Sequence, residues 1–179
     1  MKPIEHPEFF RRPPPEGRSR ESTIVLDERG RFWHDGRPVE HPGMQQAFSG
    51  WIRKHPDDGR YILCNGYDWT YLEVVDAPLF VRAIATRGEE PELVFSDGTR
   101  QPLRGARLRA VGDEALYVGV GDRELEARFL PPAQAQLHPF VGEGETGLPV
   151  LRVDGTTVPI EVLPVADAPV VDTPGEAVG

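Results

Sequence analysis

Cys64 is the only cysteine in 179 residues, so an intramolecular disulfide is excluded. No apolar run is long enough to span a bilayer, and the start of the chain lacks the charged-then-apolar pattern of a secretory signal. Positive charge is scarce: 20 Lys+Arg stand against 29 Asp+Glu, a net charge of -9. That balance argues against duplex DNA and anionic membrane surfaces as partners, because both demand a basic patch. Catalytic signatures are missing too. There is no Gly-x-Ser-x-Gly elbow and no Gly-Lys-Ser/Thr phosphate loop, which leaves acyl transfer and nucleotide hydrolysis without their markers. A cytoplasmic protein with no cofactor, no metal and no assignable catalytic residue is the expectation.

What is present is a chain long enough to bury a sizeable core unaided. Residues 1–21 are rich in proline, including Pro13-Pro14-Pro15, and in mixed charge, which reads as a disordered leader. Residues 164–179 repeat small residues, prolines and acids without a period and read as a disordered tail. The folded body between them divides into an N-terminal subdomain of strands, helix and hairpin at 22–87 and a C-terminal β subdomain at 88–163.

In the first subdomain, Thr23–Leu26, Arg31–Trp33 and Arg37–Val39 are short extended pieces punctuated by Gly30 and Asp35-Gly36. Pro42 opens a helix to Lys54 whose stripe is Met44, Ala47, Phe48, Trp51 and Ile52, expected to bury Phe48 and Trp51 on a sheet containing Ile62 and Trp69. Asn65-Gly66 predicts a two-residue hairpin turn pairing Cys64 with Tyr67 and Ile62 with Trp69. Period two places Ile62, Cys64, Tyr67, Trp69 and Tyr71 on one face and Tyr61, Leu63, Asp68, Thr70 and Leu72 on the other, so both faces call for a cover. Beyond Glu92 the pattern is nearly all β, with strands at 93–95, 108–111, 116–118, 124–129, 149–153 and 158–162.

Chemistry-bearing clusters are few. His34, Asp35, Glu40 and His41 straddle an Asp-Gly turn at a spacing that suits solvated turn residues better than a metal. Cys64 beside the hairpin reads as a small apolar residue, and Val118-Gly-Val-Gly-Asp122 as a hairpin turn without a following helix to bind phosphate. Tyr67, Trp69 and Tyr71 lack the interleaved cations of a base-stacking platform.

Phe32-Trp-His-Asp-Gly-Arg-Pro-Val39, Asp58-Gly-Arg-Tyr61 and Leu72-Glu-Val-Val-Asp-Ala-Pro78 resemble, in order and spacing, signatures of the bacterial domain-of-unknown-function family 1285. The resemblance implies an α+β, mainly β fold of two small subdomains with repeated strand and helix elements, the second superficially pleckstrin-homology-like. It also implies a cleft between them suited to a small nucleotide-like ligand in signalling. In that cleft His41 and Arg60 would supply cationic donors, Asn65 and Asp68 would orient polar ligand edges, and Asp76 would bind a hydroxyl or fix the bend at Pro78. The expected role is a non-catalytic sensor or adaptor. The alternative is a protein-interaction module without a small ligand, which a filled seam beside an exposed apolar patch would favour.

Overall fold

The computed structural model describes residues 2–6, 8–112, 115–121 and 123–165. The chain is α+β and mainly β. Its N-terminal part contains β1 (Val25–Leu26), β2 (Phe32–His34), β3 (Arg37–Pro38), α1 (Pro42–Trp51), β4 (Ile52–Lys54), β5 (Tyr61–Cys64), β6 (Trp69–Tyr71) and β7 (Glu73–Val74). These form two small sheets, ordered β3-β2-β1-β7 and β4-β5-β6. Then come β8 (Leu79–Arg87), β9 (Glu90–Phe95), β10 (Arg100–Pro102), β11 (Leu108–Val111), β12 (Ala115–Val120) and β13 (Leu125–Phe129). The chain continues through α2 (Pro131–Leu137), β14 (Val141–Glu143), β15 (Pro149–Val153), β16 (Thr156–Pro159) and β17 (Glu161–Leu163). A seven-stranded sheet runs β10-β9-β8-β13-β12-β11-β17, and β14-β15-β16 make a fourth sheet.

Alternation decides which face of the large sheet is dry. Leu79, Val81, Leu93, Phe95, Leu116, Val118, Val120, Leu125, Ala127 and Phe129 point into one core, closed by Ala133 and Leu137 of α2 and by Leu151 and Val153 of β15. The opposite face contributes Phe80 to a second core with Leu26, Phe32, Ile52, Leu63 and Leu72, and thereby joins the two halves. A bulge between Val81 and Ala83 keeps Val81 and Ile84 on the inner face although they stand three positions apart. By its pairing with β9 and β13, β8 belongs to the C-terminal sheet, not to the N-terminal subdomain expected to run to residue 87.

Asp27 organises the entry to this seam. Its buried carboxylate accepts from the backbone N–H of Arg29 and Arg31, from Arg31 Nε at 2.9 Å and from Trp33 Nε1 at 3.0 Å, closing the β1–β2 loop. The loop ends with Gly30 at φ +77° directly against Phe80, where a Cβ would lie 2.9 Å from the Phe80 ring.

Several expectations are corrected. The helix stops at Trp51, because Ile52–Lys54 pairs as a strand with Leu63, Ile62 and Tyr61. Ile52 satisfied a helical period and a strand equally, and the free edge of β5 won. Phe48 meets the second core edge-to-face on Phe32 at 5.4 Å, not Ile62 and Trp69, and Trp51 is 36% exposed. The hairpin pairs Cys64 with Trp69 and Ile62 with Tyr71, two residues out of the expected register. Asn65 Oδ1 accepts from the N–H groups of Tyr67 and Asp68, both at 2.9 Å, and this side-chain turn stabilises a four-residue loop instead of a two-residue one. A slip of two preserves the faces, so the assignment holds except for Tyr67, which lies in the loop and is 68% exposed.

The leader is ordered where disorder was expected. It forms 3-10 turns at Pro3–Glu5 and Phe9–Arg11 and buries Phe9 against Ile62, Cys64 and Trp69. Few apolar residues suffice here because the hairpin offers them a preformed apolar face. In the C-terminal half, α2 was unexpected; Pro131-Pro132 starts it and Ala133 and Leu137, one turn apart, anchor it. From residue 166 the expected tail lies outside the described residues.

The junction at Phe80 yields a prediction. Phe80→Ala should lower unfolding stability by about 3–5 kcal/mol in denaturant titration. Gly30→Ala should lower it by more than about 1 kcal/mol, through its positive φ and the approach to the same ring. A Gly30→Ala protein as stable as the parent would show that the loop does not pack as described.

Candidate functional site

Side-chain bonds cross the seam between the halves. Asp76 accepts from Tyr117 Oη at 2.9 Å and from Arg128 Nη1 at 2.7 Å, so its carboxylate is engaged by groups of the chain itself. Arg109 lies 4.4 Å over the Tyr117 ring and forks onto Glu126. Burial, then the bond to Asp76, pushes the Tyr117 phenol above its ordinary pKa. Further along the seam Arg123 pairs with Asp97 and reaches the carbonyl of Ile52 at 3.4 Å, while Gln46 Nε2 contacts the Asp97 carbonyl at 3.4 Å.

Open concavities among the described residues lie in the N-terminal part, and three of them bear on the expected site residues. The first, of about 540 Å³, has the segment 15–24 as one wall, Phe48 and Trp51 of α1 as another, and Leu63, Asn65, Asp68 and Trp69 of the hairpin as a third. The second, of about 590 Å³, runs along β3 and the start of α1 and holds His34, Asp35, Glu40 and His41. The third, of about 540 Å³, lies around Arg60 and Tyr71.

The five expected site residues are thus dispersed. Asn65 and Asp68 meet in the first groove, where Asn65 spends its carbonyl on its own turn. Asp68 pairs with Arg20; partial burial opposes its ionisation, but the guanidinium and the Trp69 N–H outweigh it and hold the carboxyl below the usual range. Arg60 lines the third concavity, forked onto Glu21 at 2.8 Å through both nitrogens, with its guanidinium 3.7 Å over the Tyr71 ring. His41 caps α1 by accepting the Met44 N–H at Nδ1, 3.3 Å, and lines the second concavity. Asp76 sits at the seam. Among the described residues no three His, Cys, Asp or Glu side chains converge as a metal site, and Cys64 is buried in apolar surroundings.

Sequence reading missed the groove's most telling members, Arg18, Arg20 and Trp51. The first two stand in the leader, whose composition hid them, and Trp51 was assigned to the core by its helical period. The one available signal was the hairpin's second apolar face, which required a cover, and the Ile4, Phe9 and Phe10 segment supplies it.

Comparison with solved structures addresses the architecture. A DUF1285 family protein from Silicibacter pomeroyi DSS-3 superposes with a TM-score of 0.63 at 20% identity, over 84% of this chain and 84% of its own. A second, from Shewanella baltica OS155, gives a TM-score of 0.50 at 16% identity, over 68% of this chain and 92% of its own. The chain has the DUF1285 fold. No family model matches its sequence, and no curated protein does. The likeness therefore concerns the fold, and it bears out at that level the resemblance carried by the Asp-Gly-x-Tyr and Asp-Ala-Pro segments. On this DUF1285 fold the groove residues must be judged by their own geometry. No helix among the described residues is long and apolar enough to cross a membrane.

The seam also sets a pH response. Burial raises the Asp97 pKa, but the Thr99 hydroxyl and N–H, then Arg123, outweigh it and leave the carboxyl below its ordinary value. A carboxyl lowered on folding adds stability that is complete above its unfolded pKa of about 3.9 and is lost as pH falls through the lower folded value. Melting temperature should accordingly hold between about pH 7 and 5 and fall below about pH 4, and Asp97→Asn should shrink that fall. An acid response unchanged by the substitution would remove Asp97 from the account.

Proposed function

We propose that the chain is a non-catalytic, cytoplasmic binding protein whose first groove takes a small, flat, anionic ligand of nucleotide type. The observation that carries this reading is the presence, around one groove of about 540 Å³, of a part-exposed indole, Trp51, and of Arg18, which pairs with no carboxylate among the described residues. Its volume falls in the range of small-molecule sites. Trp51 and Phe48 offer a face on which a planar ring stacks, Arg18 offers a counter-charge, and the Ser19 hydroxyl, which accepts the Glu21 N–H and keeps its own proton, offers a hydrogen bond. Binding is favoured over turnover because the groove's carboxylates, Glu21 and Asp68, are held by Arg60 and Arg20.

A second reading, a protein-interaction module, is favoured by β17, an edge strand among the described residues whose Val162 is 52% exposed. Thermal melts with adenosine and guanosine monophosphates separate the two. A ligand of the folded state should raise the melting temperature saturably. Trp51→Ala should weaken its binding by about 1–3 kcal/mol in calorimetry, the worth of one stacked base. A shift that survives Trp51→Ala would move the site elsewhere, and no shift with either nucleotide would favour the interaction module.

A further inference from the structure

Among the described residues, two buried side-chain nitrogens lack a hydrogen-bond partner, Arg20 Nε and Trp69 Nε1, and both belong to one contact. Arg20 lies 4.4 Å over the Trp69 ring. Its Nη1 donates to the Asp68 carboxylate and, at 2.6 Å, to the Trp69 carbonyl, while Nη2 reaches the carbonyls of Arg12 and Pro13 at 3.3 Å each. The guanidinium therefore closes the loop 12–20 on itself and clasps it to β6, beside the Arg20 carbonyl, which accepts from the Tyr71 N–H at 2.7 Å and from Thr70 Oγ1 at 2.8 Å.

The rest of the leader is held lightly. Phe9 is buried at 4% exposure, Ile4 and Phe10 are partly buried, and most other leader residues are exposed. Among the described residues, one backbone bond joins residues 2–12 to the hairpin, from Ile4 N to Gly66 O at 3.2 Å. His55 Nε2 approaches the Phe10 carbonyl at 3.4 Å, and Arg11 pairs with Asp57 at the surface. A segment with so few buried contacts opens at a lower free energy than the sheets beneath it. The two orphaned nitrogens act in the same direction, since water would satisfy both on release. Pro13-Pro14-Pro15 form a stiff joint between the Phe9 anchor and the Arg20 clasp.

We propose that residues 2–20 are a strap, clasped by Arg20, that opens as a unit while the sheets stay folded. Opening uncovers Cys64 and removes one wall of the first groove, to which the strap contributes Pro15, Arg18, Ser19 and Arg20. The consequence for ligand rests on the reading of that groove as a binding site; the strap motion does not.

Cys64 supplies the probe, being the sole cysteine and buried beneath the strap. Maleimide labelling of the full chain is followed at rising, sub-denaturing urea. Strap opening exposes little surface, so labelling should depend on urea far less steeply than global unfolding does. Arg20→Ala should accelerate labelling at least about tenfold with little change in the global urea midpoint, and Arg20→Lys, which keeps the charge but loses the fork, should fall between. Labelling of the parent chain with the full urea dependence of global unfolding would overturn the strap, as would parental rates in both variants. If Arg20→Ala accelerates labelling and adenosine monophosphate fails to slow it, the groove reading falls and the strap stands.

Discussion

A three-stranded sheet with apolar side chains on both faces has to be covered twice, and the β4–β6 sheet is such a sheet. Leu63 and Leu72 turn toward Phe32, Ile52 and Phe80, whereas Ile62, Cys64 and Trp69 turn the other way. The first cover joins the halves of the molecule. The second is the chain's own N-terminal segment, which goes on from Phe9 to Arg20 beside β6 and there raises a wall facing α1. The first groove follows from that requirement: it lies where a covering segment and a short helix meet over the same hairpin.

The strands were legible where alternation and turn chemistry agree. Leu108–Val111 and Pro149–Val153 have the expected bounds, and Asp35-Gly36 and Asp154-Gly155 form two-residue turns between strands, each with both residues at positive φ. Asn65-Gly66 misled because the same asparagine can cap a longer loop with its own carbonyl, and the two outcomes bury the same faces. Composition misled for the leader in a different way. It averages over a segment, whereas a preformed apolar face selects two or three residues from it and leaves the others in solvent. The helix at Pro131–Leu137 escaped for want of length, since a single turn of apolar spacing resembles a loop.

The candidate site was legible only in part. Asn65 and Asp68 were placed together by their nearness in sequence, but the expectation that polar residues would converge at the seam failed on electrostatics. The acidic and basic groups there find one another: Asp76 with Arg128, Asp97 with Arg123, Glu126 with Arg109. In a chain with more carboxylates than cations, most arginines facing a carboxylate are engaged, and no single sequence says which carboxylate each will find. In the first groove Arg18 has no carboxylate partner among the described residues, and it became identifiable only once the leader had a position.

Arg20 shows why the leader's attachment differs in kind from that of the β strands. Each strand is held by a ladder of backbone bonds and an apolar face, so its loss costs many interactions of similar size. The leader is held at a few separate points, chiefly the buried Phe9 ring and Arg20, whose carbonyl bonds to β6 and whose guanidinium Nε, like the indole nitrogen beneath it, goes unsatisfied. Attachment at so few points makes opening nearly all-or-none, because releasing Arg20 frees the Arg12 and Pro13 carbonyls and the Trp69 ring together. Placing such a clasp on the wall of a groove links the state of the groove to the state of the chain's own N-terminus.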